Sequence, residues 1–343
     1  MPEEVEEKIL AETKIRFGEG HLSNLSKKEQ ERIRTMEYPK STEQQFLINL
    51  ADKKTTELME KCGVSGYKVP EKNFHLLPAQ VYEECRGGQS GDSGTEAFTC
   101  HTSQGVFVKA DDMRNDNLFF GETVFHELLH FKSHFALEAK TEEAGDEEKR
   151  RPRVRASIYR SGSTVYSSMK KDREGELHAH FKGLDEAVVS YEERKFAKDT
   201  LMNLPMFQRE KEWLDSPEAE LIKDNISRER RVPKEYITWV SKDGKEFRAI
   251  SYGHITETYD YVLNEIQKEF PDKYPAKDDI SREFLKSMFD GKLLGLARIV
   301  EKTFGKGSFR VLGIMTTKPD SAINVFESLK SLRRAQLSRK NRS

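Results

Sequence analysis

The stretch His126-Glu127-Leu128-Leu129-His130 sets two imidazoles four residues apart, with a carboxylate beside the first. On a helix, positions i and i+4 lie on one face, one turn apart, so both rings can direct a nitrogen at one ion. Glu127 cannot readily complete the same tetrahedron, but it can hydrogen-bond a water on that ion. Zinc would lower the pKa of such a water towards neutrality, and the carboxylate would take the proton as the water attacks a carbonyl. Two histidines are not enough. A catalytic zinc takes three protein ligands and keeps one position open.

Three sources for the missing ligand can be weighed. A histidine six residues after His130 would serve, but position 136 is Ala and position 133 is Ser. His134 is next. The run 118–140 reads as one long helix, with Phe120, Val124, Phe125, Leu128 and Leu129 as its apolar set. On that helix His134 lies about 12 Å from His126 along the axis, too far for one ion. The third source is a glutamate on a second helix. In "FKGLDEAVVSYEERKF" Gly183 is expected to end a strand and a helix to begin near Asp185. Glu186 then stands in the first turn, followed by Ala187, Val188 and Val189. A carboxylate among apolar residues suits ligation, although Asp185 and Glu186 would also complement the helix dipole. Glu186 is the expected third ligand, with Glu192 and Glu193 behind it.

"HELLH" followed by "GLDEAVV" resembles the gluzincin class of zinc metallopeptidases, over roughly residues 96 to 200. The resemblance implies a zincin fold with zinc held by His126, His130 and Glu186. It implies that Glu127 is general base and then acid, and that a peptide or protein substrate lies extended along an edge strand. Two departures stand out. The 56-residue step from His130 to Glu186 is much longer than in thermolysin-like members, and an intervening hairpin would fill it. Ser190 stands where those members tend to carry an aspartate that orients a histidine; Asp185 is the available substitute.

The chemistry also needs a donor for the developing oxyanion. Tyr252 is the first choice, because it opens a new segment after a hairpin. Arg160, Tyr166, His178, His180, His254 and Tyr259 are further candidates. His178 and His180 share one strand face and could hold a second metal, but a solvated strand face is the plainer account.

The elements that must position these residues fall into three expected regions. Residues 1–66 read as helical and charged, 67–202 as the zincin-like core, and 203–343 as a hairpin followed by a mainly helical domain. Ser41 and Gln44 form a capping box for a helix to about residue 62, with Phe46, Leu47, Leu50, Leu58 and Met59 as its apolar face. "NFHLL" reads as a strand, "CRGGQSGDSG" as a loop, and "TEAFTCHTSQGVFVKA" as two strands about a turn. "EEAGDEEKRRPRVR" reads as a charged linker, and the segment 156–183 as a hairpin around "DREGE". Asp243-Gly244 suits a tight turn between two strands. "LLGLARIVEKTF" reads as a packed helix, Gly305 and Gly307 as turn glycines, and a last helix is expected from Pro319. The basic end "SLRRAQLSRKNRS" is expected to be frayed and solvated. The fold class is therefore α+β: a mixed sheet with the metal-bearing helix, flanked by helical regions.

Composition excludes some functions. The 343 residues carry 58 Lys+Arg against 59 Asp+Glu, for a net charge of -1. That balance argues against binding nucleic acid or an anionic membrane. No apolar run approaches the length of a membrane span, and the acidic start "MPEEVEEKIL" is not a signal peptide. Cys62, Cys85 and Cys100 fit neither a disulfide framework nor a thiolate zinc site, so a cytoplasmic protein is expected. The oligomeric state is not legible. The same site would also serve a zinc hydrolase of a non-peptide amide or ester. A different class of reading is a non-catalytic helical interaction protein carrying an inactive motif.

Overall fold

Serine opens the first two helices among the described residues. Ser26 Oγ accepts from Glu29 N–H at 3.2 Å, while Ser26 N–H donates to Glu29 Oε2 at 2.7 Å, and α1 (Lys27–Met36) follows. Ser41 and Gln44 make the same reciprocal pair at 3.1 and 3.0 Å, and α2 (Thr42–Lys61) follows, as the capping box implied. The buried face of α2 is Gln44, Leu47, Ile48, Ala51, Asp52, Thr55 and Met59. Leu47 and Met59 are where expected. Phe46 is 48% exposed, however, and Leu50 and Leu58 are half-buried. A single 3.6-residue stripe through 44, 48, 51, 55 and 59 leaves Phe46 off the core.

The computed structural model describes residues 26–86, 96–100, 104–113, 116–142, 153–171, 177–230, 233–249 and 252–340. The chain divides into two compact units, Met1–His178 with Phe289–Gly291, and Ala179–Met288 with Lys292–Ser343.

In the first unit, β1 (Phe74–Leu77), β2 (Ala97–Cys100) and β3 (Gly105–Lys109) form a sheet in the order β1-β3-β2. β1 runs parallel to β3, and β2 antiparallel, with Phe98 opposite Phe107 and Thr99 opposite Val106. All three strands were expected. The helix α3 (Ala79–Arg86) was not. It has only two buried residues, Val81 and Tyr82, too few to show a period; they join Ile33, Leu77 and Phe107 in one core. Residues 87–95, most of the loop expected from Cys85, lie outside the described residues, as does 143–152 of the expected linker.

The helix that carries His126 and His130 is α4 (Asn117–Lys132), and it is shorter than expected. Ser133 is extended, and its N–H and its Oγ both bond His130 O, at 3.1 and 2.6 Å, closing the helix end. The chain then enters β4 (Phe135–Glu142), which pairs antiparallel with β5 (Arg153–Ser161) along its length. Pairing with a distant strand overrode a local pattern that fits a helix equally well. β6 (Thr164–Lys171) and β7 (Leu177–His180) complete the order β4-β5-β6-β7. The first arm of the expected hairpin is thus two strands, joined by a tight turn at Gly162-Ser163, where Gly162 has φ 58. The "DREGE" turn itself, 172–176, lies outside the described residues.

The second unit holds α5 (Lys182–Asp199), α6 (Gln208–Leu214) and α7 (Pro217–Arg230). The hairpin β8 (Ile237–Val240) and β9 (Phe247–Ala249) turns at Asp243-Gly244 as expected, and packs with α6 and α7 around Leu214, Ala219, Ile226 and Val240. Then come α8 (Gly253–Glu269), α9 (Lys277–Asp290), α10 (Leu293–Phe304), α11 (Ser308–Gly313) and α12 (Pro319–Lys340). α8 packs along α5, α10 and α12. The basic end is helical over its described residues, where fraying was expected: α12 runs to Lys340. Nor is Arg333 solvated. It is 6% exposed and donates to Glu265 at 3.0 Å, Glu269 at 2.9 Å and Thr303 O at 2.7 Å. The architecture is α+β, as expected. Among the described residues no helix is long and apolar enough to cross a membrane.

Candidate metal centre

α4 is built to stay where it is. Asp116 caps it, its Oδ1 accepting from Phe119 N–H at 2.9 Å. Leu118, Phe120, Val124, Phe125, Leu128, Leu129 and Phe131 are all buried, against α2, β2 and β3. At its last residue Lys132, 1% exposed, donates to Asp52 Oδ1 at 2.8 Å, Asp52 O at 2.8 Å and Thr56 Oγ1 at 2.7 Å. Burial pulls the Lys132 ammonium below its usual pKa, against the opposing pull of Asp52. Asp52 in turn accepts from Val69 N–H at 3.1 Å. A buried cation so fully partnered locks the register of α4 on α2.

His126 and His130 are half-buried, with ring centroids 5.0 Å apart. Their Nε2 atoms lie 3.3 Å apart. Two nitrogens each about 2.0–2.1 Å from one tetrahedral zinc would be about 3.3–3.4 Å apart, so the pair already has the spacing of one edge of that tetrahedron. Two imidazole nitrogens this close satisfy each other only as donor and acceptor, whereas a cation satisfies both. One ligand atom each from His126, His130 and Glu186 all lie within 4.8 Å of one another. This is the one group of three metal-capable side chains among the described residues, and its donor set of two imidazoles and a carboxylate suits zinc.

Glu186 owes its place to the start of α5. The helix begins at Lys182, three residues before the expected Asp185, so Gly183 lies inside its first turn rather than ending a strand. Gly183 is there for close approach: a Cβ on it would meet Met315 and Thr316 O at 2.8 to 2.9 Å. Gly183 N–H donates to Met315 O at 2.9 Å, and Phe181 N–H to Gly313 O at 2.7 Å. Phe181 takes φ 64 to make this junction. Glu186 falls in the second turn, half-buried, between buried Asp185 and buried Ala187.

The other expected candidates are placed as follows. His134 is off the helix, so the axial distance argued from sequence does not apply to it. Its ring packs on Gly291, within 2.5 Å of where a Cβ would stand, and it is outside the group of three. Glu192 is buried and accepts from Ser281 Oγ at 3.0 Å; burial raises its pKa. Glu193 and His180 are half-buried and outside the group, and the side chain of His178 is not among those described. Arg160 donates to Gly162 O at 2.9 Å and to Gly291 O. Tyr166 is half-buried on β6, and His254 is exposed in the first turn of α8. Tyr252 precedes α8 in the left-handed conformation, φ 63, with 38% of its surface exposed. Tyr259 is buried, donating to Ser281 Oγ at 3.2 Å, which makes it a core residue of the second unit.

Glu127 is 9% exposed, and its carboxylate faces β2. The Thr99 hydroxyl reaches Glu127 Oε2 at 2.8 Å and the Glu127 main-chain oxygen at 3.0 Å. The carboxylate is also felt by Tyr82: burial, and then the charge of Glu127, push that phenol up. Thr99 was missed from sequence. The available signal was the alternation of "AFTC": Phe98 and Cys100 pack on the Ile33–Phe107 core, which turns Thr99 to the other face of the strand. The chain stands by its geometry alone, since no family model, no curated protein and no solved structure matches it.

Proposed function

We propose that the protein is a zinc-dependent metallohydrolase of the zincin type, cleaving a peptide bond. His126, His130 and Glu186 would hold the metal, and the observation that carries the reading is the convergence of their ligand atoms within 4.8 Å, with two Nε2 atoms at the 3.3 Å spacing of one zinc. Bound there, zinc supplies Lewis acidity, acidifying water and polarising a carbonyl. Glu127, adjacent to His126 and nine-tenths buried, takes the proton of the attacking water and returns it to the leaving amine. Tyr252 is the proposed donor to the oxyanion. Three free thiols go with a cytoplasmic setting, and a near-neutral charge with a peptide or protein substrate rather than nucleic acid or membrane.

The first test is metal content. Purified protein supplied with zinc should carry one equivalent, and protein that never retains stoichiometric zinc removes the enzyme reading. Glu186→Ala should weaken zinc binding by more than roughly 100-fold, since even partners outside the ligand set cost that much. Unchanged affinity would mean a different third ligand. Glu127→Ala should keep zinc and lose about 10²–10⁴-fold in turnover. A panel of peptide, amide and ester substrates separates peptidase from other hydrolase activity.

A further inference from the structure

A carboxylate that serves as a base needs a fixed position as well as a suitable neighbour. Glu127 stands on a helix, and its side chain has three rotatable bonds. Its carboxylate is fixed from β2. One hydroxyl, Thr99 Oγ1, lies 2.8 Å from Oε2 and 3.0 Å from the main-chain oxygen of the same residue. The two contacts reference the carboxylate to the helix axis and the strand at once. Thr99 is itself anchored: β2 is paired with β3, with Thr99 opposite Val106, and its neighbours Phe98 and Cys100 pack into the Ile33–Phe107 core. A β-branched residue on a strand has few χ1 choices, so the hydroxyl has few places to go.

We infer that Thr99 is the positioning residue for Glu127, holding Oε2 so that Oε1 faces the water to be deprotonated. The inference rests on the metallohydrolase reading above. Thr99 touches neither metal nor substrate and acts through Glu127. A purely structural threonine would cost stability whatever occupies position 127. A positioning threonine matters only while Glu127 carries its carboxylate.

That difference defines the test. Zinc uptake is measured first, on wild type and on Thr99→Val, Thr99→Ala, Thr99→Ser, Glu127→Gln and the Thr99→Val/Glu127→Gln double variant. Acetohydroxamate binding to each zinc-loaded protein is then measured by calorimetry. The probe binds zinc whatever the side-chain preference, and its acidic hydroxyl is received by the carboxylate that would receive the proton of water. Thr99→Val should leave zinc affinity within about twofold and weaken acetohydroxamate roughly tenfold, the effect of losing one hydrogen bond to a charged group. Thr99→Ser should restore binding to within about twofold. In the Glu127→Gln background Thr99→Val should add nothing. Thr99→Ala replaces the valine variant if that one fails to fold. The inference is overturned if Thr99→Val binds the probe like wild type, or if it costs as much in the Glu127→Gln background as in the wild type. Failure of wild type to take up zinc overturns it as well, but at the first step, where the metal site itself is seen to be wrong.

Discussion

α4 and α5 begin by opposite means. α4 is capped by the residue before it, Asp116, and buried among elements of its own stretch of chain. α5 has no side-chain cap. It starts from Phe181 in the left-handed conformation, and the N–H groups of Phe181 and Gly183 are received by Gly313 and Met315, far along the sequence. A helix closed by local chemistry can be read from local sequence. A helix closed by a distant carbonyl looks uncapped until the chain is folded. The two helices that carry the candidate ligands are therefore unequal in what holds them, and that inequality can be tested.

The largest effect should come from the buried ion pair at the end of α4. Lys132→Met leaves Asp52, 4% exposed, without its cation. It should cost about 3–5 kcal/mol in urea unfolding, with faster hydrogen exchange in α4. A loss below 1 kcal/mol would show that α4 does not depend on the pair. Gly183→Ala puts a methyl against Met315 and Thr316 O and should cost about 1–3 kcal/mol. A neutral result would mean the α5 junction yields easily, and the contrast between the helices would weaken.

Arg333 tests the packing behind α5 through pH. Burial would raise Glu265 and Glu269, but hydrogen bonds from Arg333 with Lys268 and Lys340 outweigh it and hold both below 4.5. A carboxylate lowered in the folded state stabilises above its ordinary pKa, and that contribution fades as pH falls through the folded value. Arg333→Met should thus cost about 1–3 kcal/mol at pH 7 and progressively less below pH 4.5. A cost that is flat with pH would assign the loss to packing rather than charge. The smallest effect is expected at the cap: Asp116→Ala should cost about 1 kcal/mol. No measurable loss would mean that burial alone starts α4.

Much of the fold was legible where local chemistry decides. The capping box at Ser41, the strands of "NFHLL" and "TEAFTCHTSQGVFVKA", the Asp243-Gly244 hairpin and the start of α12 at Pro319 all rest on residues near one another in sequence. Errors gather where a distant partner chose between two permitted readings. β4 has a pattern a helix could also carry, and became a strand by pairing with β5. Gly183 looked like a strand breaker and serves a close approach to Met315. Arg333 looked like a surface charge in a basic tail and is buried by two glutamates of α8. α3 gave no sign, because eight residues with two buried side chains cannot display a period.

The candidate site divides in the same way. By itself, the sequence determined that two imidazoles would share a helical face with a carboxylate beside them, because a 3.6-residue period is a property of the backbone. The sequence also put Glu186 ahead of Glu192 and His134, and the surroundings of the three belong to the tertiary structure. Glu192 is taken up by Ser281, His134 leaves the helix at Ser133, and of the three only Glu186 belongs to the group whose ligand atoms lie within 4.8 Å of one another. Thr99 belongs there too. A hydroxyl 28 residues from Glu127 meets its carboxylate only once a strand and a helix are packed face to face, since no local rule sets which strand lies beside which helix.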